Sequence, residues 1–259
     1  MYKKKPLPHH IWIIGGSTGI GRALALDLAQ QGCTVAVSAR NPENLVQLEK
    51  TSQSATWQLK GYPCDATKLQ ALQGCADQIF SQQGIPEAVI LNAAIYDPLD
   101  AGTFSSEREW EVMRVNIHSV LNGLDICLNH FLAPPKQVLI TVSPSGYRGL
   151  PGGGAYGASK AALINLAESM RPALARRGIQ LRLISPGFVD TRLTRKNRFT
   201  MPALLTPQQA SQRIIEGLKG NQFEIAFPKR LIWPLKLLSL LPASLWFRLT
   251  GGLQKGDPE

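Results

Sequence analysis

The chain has 259 residues and a formal net charge of +10, from 28 Lys and Arg against 18 Asp and Glu. Apolar residues make up 44% and charged residues 18%, which is typical of a globular protein and excludes a fibrous or disordered chain. The four cysteines (Cys33, Cys64, Cys75, Cys127) are widely spaced, which excludes a disulfide scaffold and predicts small core thiols with no metal site.

Short apolar runs and longer helical patterns alternate along the chain. The predicted strands are Ile11–Ile14, Thr34–Ser38, Thr56–Gly61, Ala88–Leu91, Gln137–Val142 and Gln180–Ile184. The predicted helices are Gly19–Gln31, Pro42–Ser52, Leu69–Gln82, Glu107–Phe131 and Tyr156–Arg177. Few hairpin signals interrupt this alternation, so we predict a doubly wound, Rossmann-type α/β fold with helices on both faces of a parallel sheet.

A glycine-rich turn, Gly15–Gly21, joins the first strand to the first helix. Glycines let a backbone approach a pyrophosphate closely, and a helix N-terminus supplies free N–H groups and partial positive charge. The spacing is GxxxGxG rather than GxGxxG, and a plain tight turn would look the same, but the position between strand and helix favours a dinucleotide site. The residues expected to contact the dinucleotide are Gly15, Ser17, Thr18, Gly19, Ile20 and Gly21.

The end of the second strand indicates which dinucleotide is preferred. An acidic residue at position 39 would hydrogen-bond the ribose hydroxyls of NAD(H), but the chain has Ala39 there, followed by Arg40. A guanidinium matches a 2′-phosphate in charge and shape, so we predict NADP(H) over NAD(H). A surface arginine at a strand end is the alternative.

Tyr156 and Lys160 lie four residues apart, which places them on one helix face. We expect the ammonium group to lower the pKa of the phenol and make it a proton donor and acceptor near neutral pH. The pair alone could equally be a contact on a helix surface. Ser143 and Asn92 each follow a predicted strand, at the carboxyl edge where parallel sheets bind ligands, whereas Asn116 lies inside a helix and needs polar partners there.

Taken in order, these motifs resemble the short-chain dehydrogenase/reductase family, of the compact one-domain type. The matching positions run over residues 10–191 and are Gly15–Gly21, Asp65, Asn92-Ala-Ala94, Asn116, Ser143, Tyr156-xxx-Lys160 and Pro186-Gly187-xxx-Thr191. One departure is Ala94, where the family more often has glycine.

The resemblance implies a catalytic role for four residues. Tyr156 would be the acid in reduction and the base in oxidation, while Lys160 would lower its pKa and bond the nicotinamide ribose. Ser143 would hydrogen-bond the substrate carbonyl. Asn116 would position a water that links Lys160 to solvent.

The resemblance also implies further cofactor contacts. Asp65 would contact adenine, and Asn92 with Ala93 would lie beside the adenosine ribose. The nicotinamide would be lined by Pro186, Gly187, Val189 and Thr191. Family members often pair through their two long helices, so a homodimer or homotetramer is expected.

The last third of the chain carries the whole excess of positive charge. Arg171–Glu259 holds 15 basic and 5 acidic residues, whereas the preceding 170 residues are balanced at 13 of each. No basic–aromatic alternation or known motif indicates specific nucleic-acid binding. Leu231–Leu249 is apolar, but two prolines and two cations argue against a membrane span. Contact with an anionic membrane surface and a lid or subunit interface both remain open.

One domain over residues 1–259 is expected, because no repeat or low-complexity linker divides the chain. Residues 8–190 would be the cofactor-binding and catalytic core, 191–228 a lid with the last strand, and 229–259 a basic, apolar extension. No secretory signal is visible, so we expect a cytoplasmic protein with peripheral membrane contact. The predicted function is reduction or oxidation of a hydrophobic ketone or secondary alcohol. The alternative is a non-catalytic NADP-binding regulator or scaffold, against which the four retained catalytic positions argue.

Overall fold

A parallel sheet forms the centre of the molecule in a computed structural model that describes residues 5–52, 58–99, 101–131, 133–197 and 199–251. Its strands are β1 His10–Ile14, β2 Thr34–Ala39, β3 Gln58–Pro63, β4 Ala88–Leu91, β5 Gln137–Thr141, β6 Gln180–Pro186 and β7 Glu224–Phe227. They pair in the order β3-β2-β1-β4-β5-β6-β7, and every pairing is parallel. The predicted doubly wound α/β fold is therefore confirmed.

Helices cover both faces of the sheet. They are α1 Gly19–Gln30, α2 Pro42–Thr51, α3 Leu69–Gln83, α4 Ser106–Asp125, α5 Gly154–Arg176, α6 Pro207–Leu218, α7 Lys229–Leu238 and α8 Ala243–Thr250. One core lies under α1, α2 and α6, and the other under α3, α4 and α5. Alternate residues of β1 enter the two cores, with Ile11 and Ile13 on one side and Trp12 and Ile14 on the other, because successive strand side chains point to opposite faces.

The sheet reverses its winding between β1 and β4. Ile14 pairs with Ser38 on one side and with Leu91 on the other, so the carboxyl ends of three strands meet at one point. The Asn92 side chain spans this point and donates to the carbonyl oxygen of Gly15 at 2.8 Å. Crevices at such reversals are where open α/β sheets bind ligands.

Most predicted elements are present, with differences at their ends. The predicted helix Glu107–Phe131 is α4 followed by a π-helical turn over Ile126–His130. α5 begins at Gly154, two residues before Tyr156, because Glu109 of α4 accepts a hydrogen bond from the backbone N–H of Ala155 at 2.6 Å. The first two residues of the predicted strand Thr56–Gly61 lie outside the described residues.

The apolar segment Leu231–Leu249 does not form one helix. It divides into α7 and α8, and Pro242 stands at the start of α8, where its fixed φ angle suits a helix N-terminus. Across the described part of the chain, none of the helices is both long and apolar enough to traverse a bilayer.

Candidate active site

The turn between β1 and α1 forms one side of a large cavity. Gly15 and Gly19 have φ angles of +86° and +56°, which glycine adopts readily. A Cβ at Gly15 would lie 2.6 Å from the backbone of Ala93, so glycine permits this close approach. Among the described residues, the Thr18 side chain makes no capping hydrogen bond to α1, which leaves first-turn N–H groups for an anion.

Arg40 and Asp65 also line this cavity, close to each other. Asp65 accepts hydrogen bonds from the backbone N–H and the hydroxyl of Thr67, at 3.0 and 2.8 Å. Burial alone would raise the pKa of Asp65, but these hydrogen bonds and the nearby positive charge of Arg40 outweigh it and lower the pKa. Ala39 is buried at the end of β2, so no carboxylate stands at this position.

Asn116 lies inside α4 and is fully buried. Its amide accepts from the N–H of Ile95 at 2.8 Å and donates to the carbonyl oxygen of Ile95 and to the hydroxyl of Ser159, at 3.1 and 3.0 Å. Asn116 therefore fixes the loop after β4 against α5, one residue before Lys160.

The side chains of Tyr156, Lys160 and Ser143 meet in the cavity. Lys160 is 2% exposed, lies 5.5 Å from the ring centre of Tyr156, and donates to the carbonyl oxygen of Thr141 at 2.8 Å. Ser143 follows β5, and its hydroxyl accepts from that of Ser145 at 3.0 Å. The ring of Tyr96 packs edge-on against Tyr156, with 4.9 Å between the ring centres.

The expected lowering of the Tyr156 pKa is wrong for this structure. Burial raises the pKa of Tyr156 to about 12, and the hydrogen bond with Ser143 only partly opposes this rise. Burial also lowers the pKa of Lys160 to about 8. The cost of enclosing charge at this site thus exceeds the attraction between the two groups, and Tyr156 is a neutral phenol at pH 7.

The segment after β6 closes the cavity on the side facing α1. Thr194 organises it, because its hydroxyl accepts from the N–H of Thr191 at 3.0 Å and donates to the carbonyl oxygen of Val189. Thr191 in turn lies against the glycine turn, since a Cβ at Gly19 would be 3.2 Å from its methyl carbon.

All but two of the residues predicted for the site line one cavity of about 1440 Å³. The two exceptions, Asn116 and Gly21, contact residues that line the cavity. Asn116 is hydrogen-bonded to Ile95. Gly21 packs so closely on the glycine turn that a Cβ there would lie 2.7 Å from the carbonyl oxygen of Gly15. The sequence analysis missed the cavity residues Tyr96, Leu150, Pro151 and Leu235. Tyr96 lies two residues beyond Asn92-Ala-Ala94, and Leu235 lies within the apolar segment Leu231–Leu249, but no pattern marked Leu150 or Pro151.

The fold and this cavity define a nicotinamide-dinucleotide-dependent oxidoreductase. A dinucleotide fits the residues present, because the cavity joins an uncapped helix N-terminus, a close-packed glycine turn and a tyrosine–lysine pair. In the described portion of the chain, no three His, Cys, Asp or Glu side chains gather as metal ligands.

Comparison with known proteins agrees with this class. The family model described as short chain dehydrogenase matches residues 9–201. An uncharacterized oxidoreductase of Myxococcus xanthus is 31% identical over 235 residues, which cover 90% of this chain and 93% of that relative. The 3-oxoacyl-(acyl-carrier-protein) reductase FabG of Thermotoga maritima is 29% identical over 217 residues, covering 83% of this chain and 85% of that protein. The chain therefore belongs to the short-chain dehydrogenase/reductase family.

Solved structures show the same fold at lower identity. A short-chain type dehydrogenase/reductase from Mycobacterium marinum superimposes with a TM-score of 0.74 at 22% identity, over 85% of this chain and 93% of that one. An alcohol dehydrogenase from the archaeon Thermococcus sibiricus, complexed with 5-hydroxy-NADP, gives a TM-score of 0.71 at 24% identity, over 82% and 90%.

Proposed function

We propose that this enzyme interconverts a hydrophobic ketone and its secondary alcohol with NADP(H), using Tyr156 as the acid and base. The observation that carries the proposal is the meeting of Tyr156, Ser143 and buried Lys160 in a cavity that also reaches the glycine turn. Residues 191–228 would act as the lid of this cavity.

The neutral phenol is the form of Tyr156 that carbonyl reduction requires. Because the pKa of Tyr156 is about 12, the group carries its proton at pH 7 and can give it to a carbonyl oxygen. Ser143 would hold that oxygen, and the Lys160 ammonium would stabilise the phenolate as it forms. A nicotinamide dinucleotide, when bound, would supply or accept the hydride. A water held by Asn116 for proton return stays a prediction.

The proposed chemistry is tested with Tyr156→Phe. We expect turnover of every carbonyl substrate to fall by about 1,000-fold or more, while NADPH affinity stays within about threefold, since the ring is retained. A protein that binds NADPH yet turns over no carbonyl or alcohol in wild-type form would instead be a regulator or scaffold. Retained turnover in Tyr156→Phe would refute the role of the phenol.

The preference for NADP(H) is proposed from Arg40. It is exposed and lines the cavity beside Asp65, with Ala39 before it. The NADP derivative bound to the Thermococcus sibiricus neighbour supports this choice. Arg40→Ala should weaken NADPH binding by about tenfold or more and leave NADH binding unchanged, because only NADPH carries the 2′-phosphate. Equal effects on both would overturn the preference.

The hydrophobic substrate is proposed from the lining of the cavity, which includes Leu150, Phe188, Phe199, Leu231 and Leu235. The rings of Phe188 and Phe199 pack edge-on with 5.6 Å between their centres. The name of the Thermotoga maritima relative, a reductase of 3-oxoacyl groups, is consistent with such a substrate. Values of kcat/KM for methyl ketones should rise with chain length, and activity confined to short polar ketones would contradict this.

Peripheral contact with an anionic membrane, on an otherwise cytoplasmic enzyme, is proposed from the outer face of α7, α8 and the turn between them. Trp233, Leu237, Leu240 and Phe247 are each at least 67% exposed there, in a segment with cations and no acidic residue. A second copy meeting this face symmetrically would bring like charges together, whereas acidic lipid would neutralise them.

Vesicle sedimentation tests the membrane contact. Wild-type protein should sediment with phosphatidylserine vesicles and be released by salt, because the attraction is partly electrostatic. The combined variant Trp233→Ser, Leu237→Ser and Phe247→Ser should remain in solution, while Phe80→Ser, which alters an exposed side chain of α3, should bind normally. Equal sedimentation of both variants would refute the assignment.

A homodimer or homotetramer through α4 and α5 is also proposed. Trp110 and Leu121 of α4 are exposed apolar side chains that a second copy would cover. Light scattering after size-exclusion chromatography should give a molar mass at least twice that of the chain. Trp110→Glu should lower this mass toward that of a single chain. A monomeric wild-type protein would refute this assembly.

A further inference from the structure

A partly buried carboxylate joins the loop after Ser143 to the C-terminal helices. Glu224, at the start of β7, accepts hydrogen bonds from the hydroxyls of Tyr147 and Ser185 and pairs with Lys236 of α7. The Glu224 side chain is only 13% exposed. Two hydroxyl donors and the Lys236 ammonium thus satisfy the largely enclosed Glu224 carboxylate, while Lys236 itself stays 41% exposed.

The next two residues of the same loop also hold the C-terminal helices. The Arg148 guanidinium donates to the carbonyl oxygens of Ser239 and Leu241, which end α7 and lead to α8. It also lies 4.9 Å from the ring centre of Trp246, and the Trp246 indole N–H donates to the carbonyl oxygen of Gly149 at 3.0 Å. Three consecutive loop residues, 147–149, therefore hold α7 and α8 in place through hydrogen bonds and a cation–π contact.

Helix α7 presents different side chains to the cavity and to solvent. Leu231 and Leu235 line the cavity, and Leu231 packs on the backbone after β6, since a Cβ at Gly187 would lie 2.8 Å from its Cδ2 atom. Trp233 and Leu237, two residues after each, are 67% and 70% exposed. One helix face is thus a wall of the cavity, and the other is surface.

We infer that α7 is the element that sets which substrate length the enzyme accepts, with Leu231 and Leu235 as its specificity-determining residues. Glu224, Arg148 and Trp246 act as positioning residues that fix this wall relative to Ser143. The inference rests on the proposed function, because it assigns the substrate end of the same cavity.

Leu235→Trp tests the wall, and Leu237→Trp on the exposed face of the same helix is its matched control. With methyl ketones from butanone to tridecanone, Leu235→Trp should lower kcat/KM for the longest by about tenfold or more relative to butanone, because one or two methylenes change binding by about that factor. Leu237→Trp should leave the length dependence unchanged. Equal losses at every length in Leu235→Trp, or the same length dependence in the control, would overturn the inference.

Calorimetric binding of tridecanone separates this inference from the proposed chemistry. Suppose that the wild-type enzyme binds tridecanone but reduces no ketone, and that Leu235→Trp weakens this binding whereas Leu237→Trp does not. The proposed reaction is then wrong, and the role of α7 in substrate binding is supported. If the wild-type enzyme reduces ketones but Leu235→Trp changes neither binding nor length dependence, the wall fails. Absence of tridecanone binding in the wild-type protein would overturn the wall as well.

Trp246→Phe tests the positioning contacts, because it keeps an aromatic ring beside Arg148 and removes the N–H bonded to Gly149 together with one ring of the buried indole. Hydrogen exchange in the peptide spanning residues 143–150 should become faster, and kcat should fall several-fold while the KM for NADPH is unchanged. Trp233→Phe, at an exposed position of α7, should change neither quantity. Unaltered exchange and kcat in Trp246→Phe would show that the loop is held without this contact.

Discussion

The buried charge of Lys160 is proposed to serve catalysis, but it lowers the free energy of unfolding. Its ammonium group is 2% exposed, and burial lowers its pKa from the usual 10.5 to about 8. That lowering corresponds to about 3 kcal/mol against the folded state whenever the lysine is charged. Lys160→Met removes this cost but also the hydrogen bond to the Thr141 carbonyl oxygen, which contributes about 1 kcal/mol. We therefore expect Lys160→Met to raise the free energy of unfolding by about 2 kcal/mol at pH 7.

The sign of the pH dependence follows from the same pKa. Above about pH 8 the folded protein releases the Lys160 proton, whereas the unfolded chain keeps it to about pH 10.4, so the wild-type protein gains stability between these values. The gap between Lys160→Met and wild type in urea unfolding should shrink from pH 7 to about pH 10. Lys160→Arg, which keeps the charge, should give no gain. A variant less stable than wild type at both pH values, or a gap that does not change with pH, would refute this reasoning.

Three further outcomes are expected. Gly21→Ala should lower the unfolding free energy by about 2 kcal/mol or more, since its Cβ would lie 2.7 Å from a backbone oxygen; unchanged urea unfolding would contradict this. Asn116→Ala should lower the calorimetric Tm, because it removes two hydrogen bonds to the partly buried backbone of Ile95, at about 1 kcal/mol each, and a Tm equal to that of wild type would argue against it. In a buffer series, kcat/KM for carbonyl reduction should fall above about pH 8, as Lys160 loses the charge that stabilises the Tyr156 phenolate, whereas a profile flat to about pH 10 would refute that role.

The sequence predicted the sheet and most of the cavity because both depend on local patterns. Strands buried on both faces are continuous apolar runs, and the glycine turn and Ser143 each follow a strand, so their common location follows from parallel pairing. The spacing of Tyr156 and Lys160 predicted that they share one helix face, and both line the cavity. It did not predict their pKa values, because spacing along a helix does not report how deeply the helix is buried.

Contacts between distant parts of the chain were beyond sequence reasoning. Trp246 and Gly149 are 97 positions apart, and no pattern connects them. The apolar character of Leu231–Leu249 was evident from the sequence. Which side chains of α7 face the cavity and which face solvent depends on where β7 ends and on the contacts of loop 147–149. The cap of α5 by Glu109 has the same origin, since it is a contact between two helices.

The attachment of the last two helices bears on how this enzyme can be shortened or fused. A truncation that removes Lys229 and everything after it, chosen to make the protein easier to handle, would remove Leu231 from Gly187 and leave Glu224 without Lys236. Loss of activity in such a fragment would then not test the proposed contact with a membrane. Point changes on the outer surface are the informative route, and reporter proteins are better joined upstream of β1 than downstream of α8.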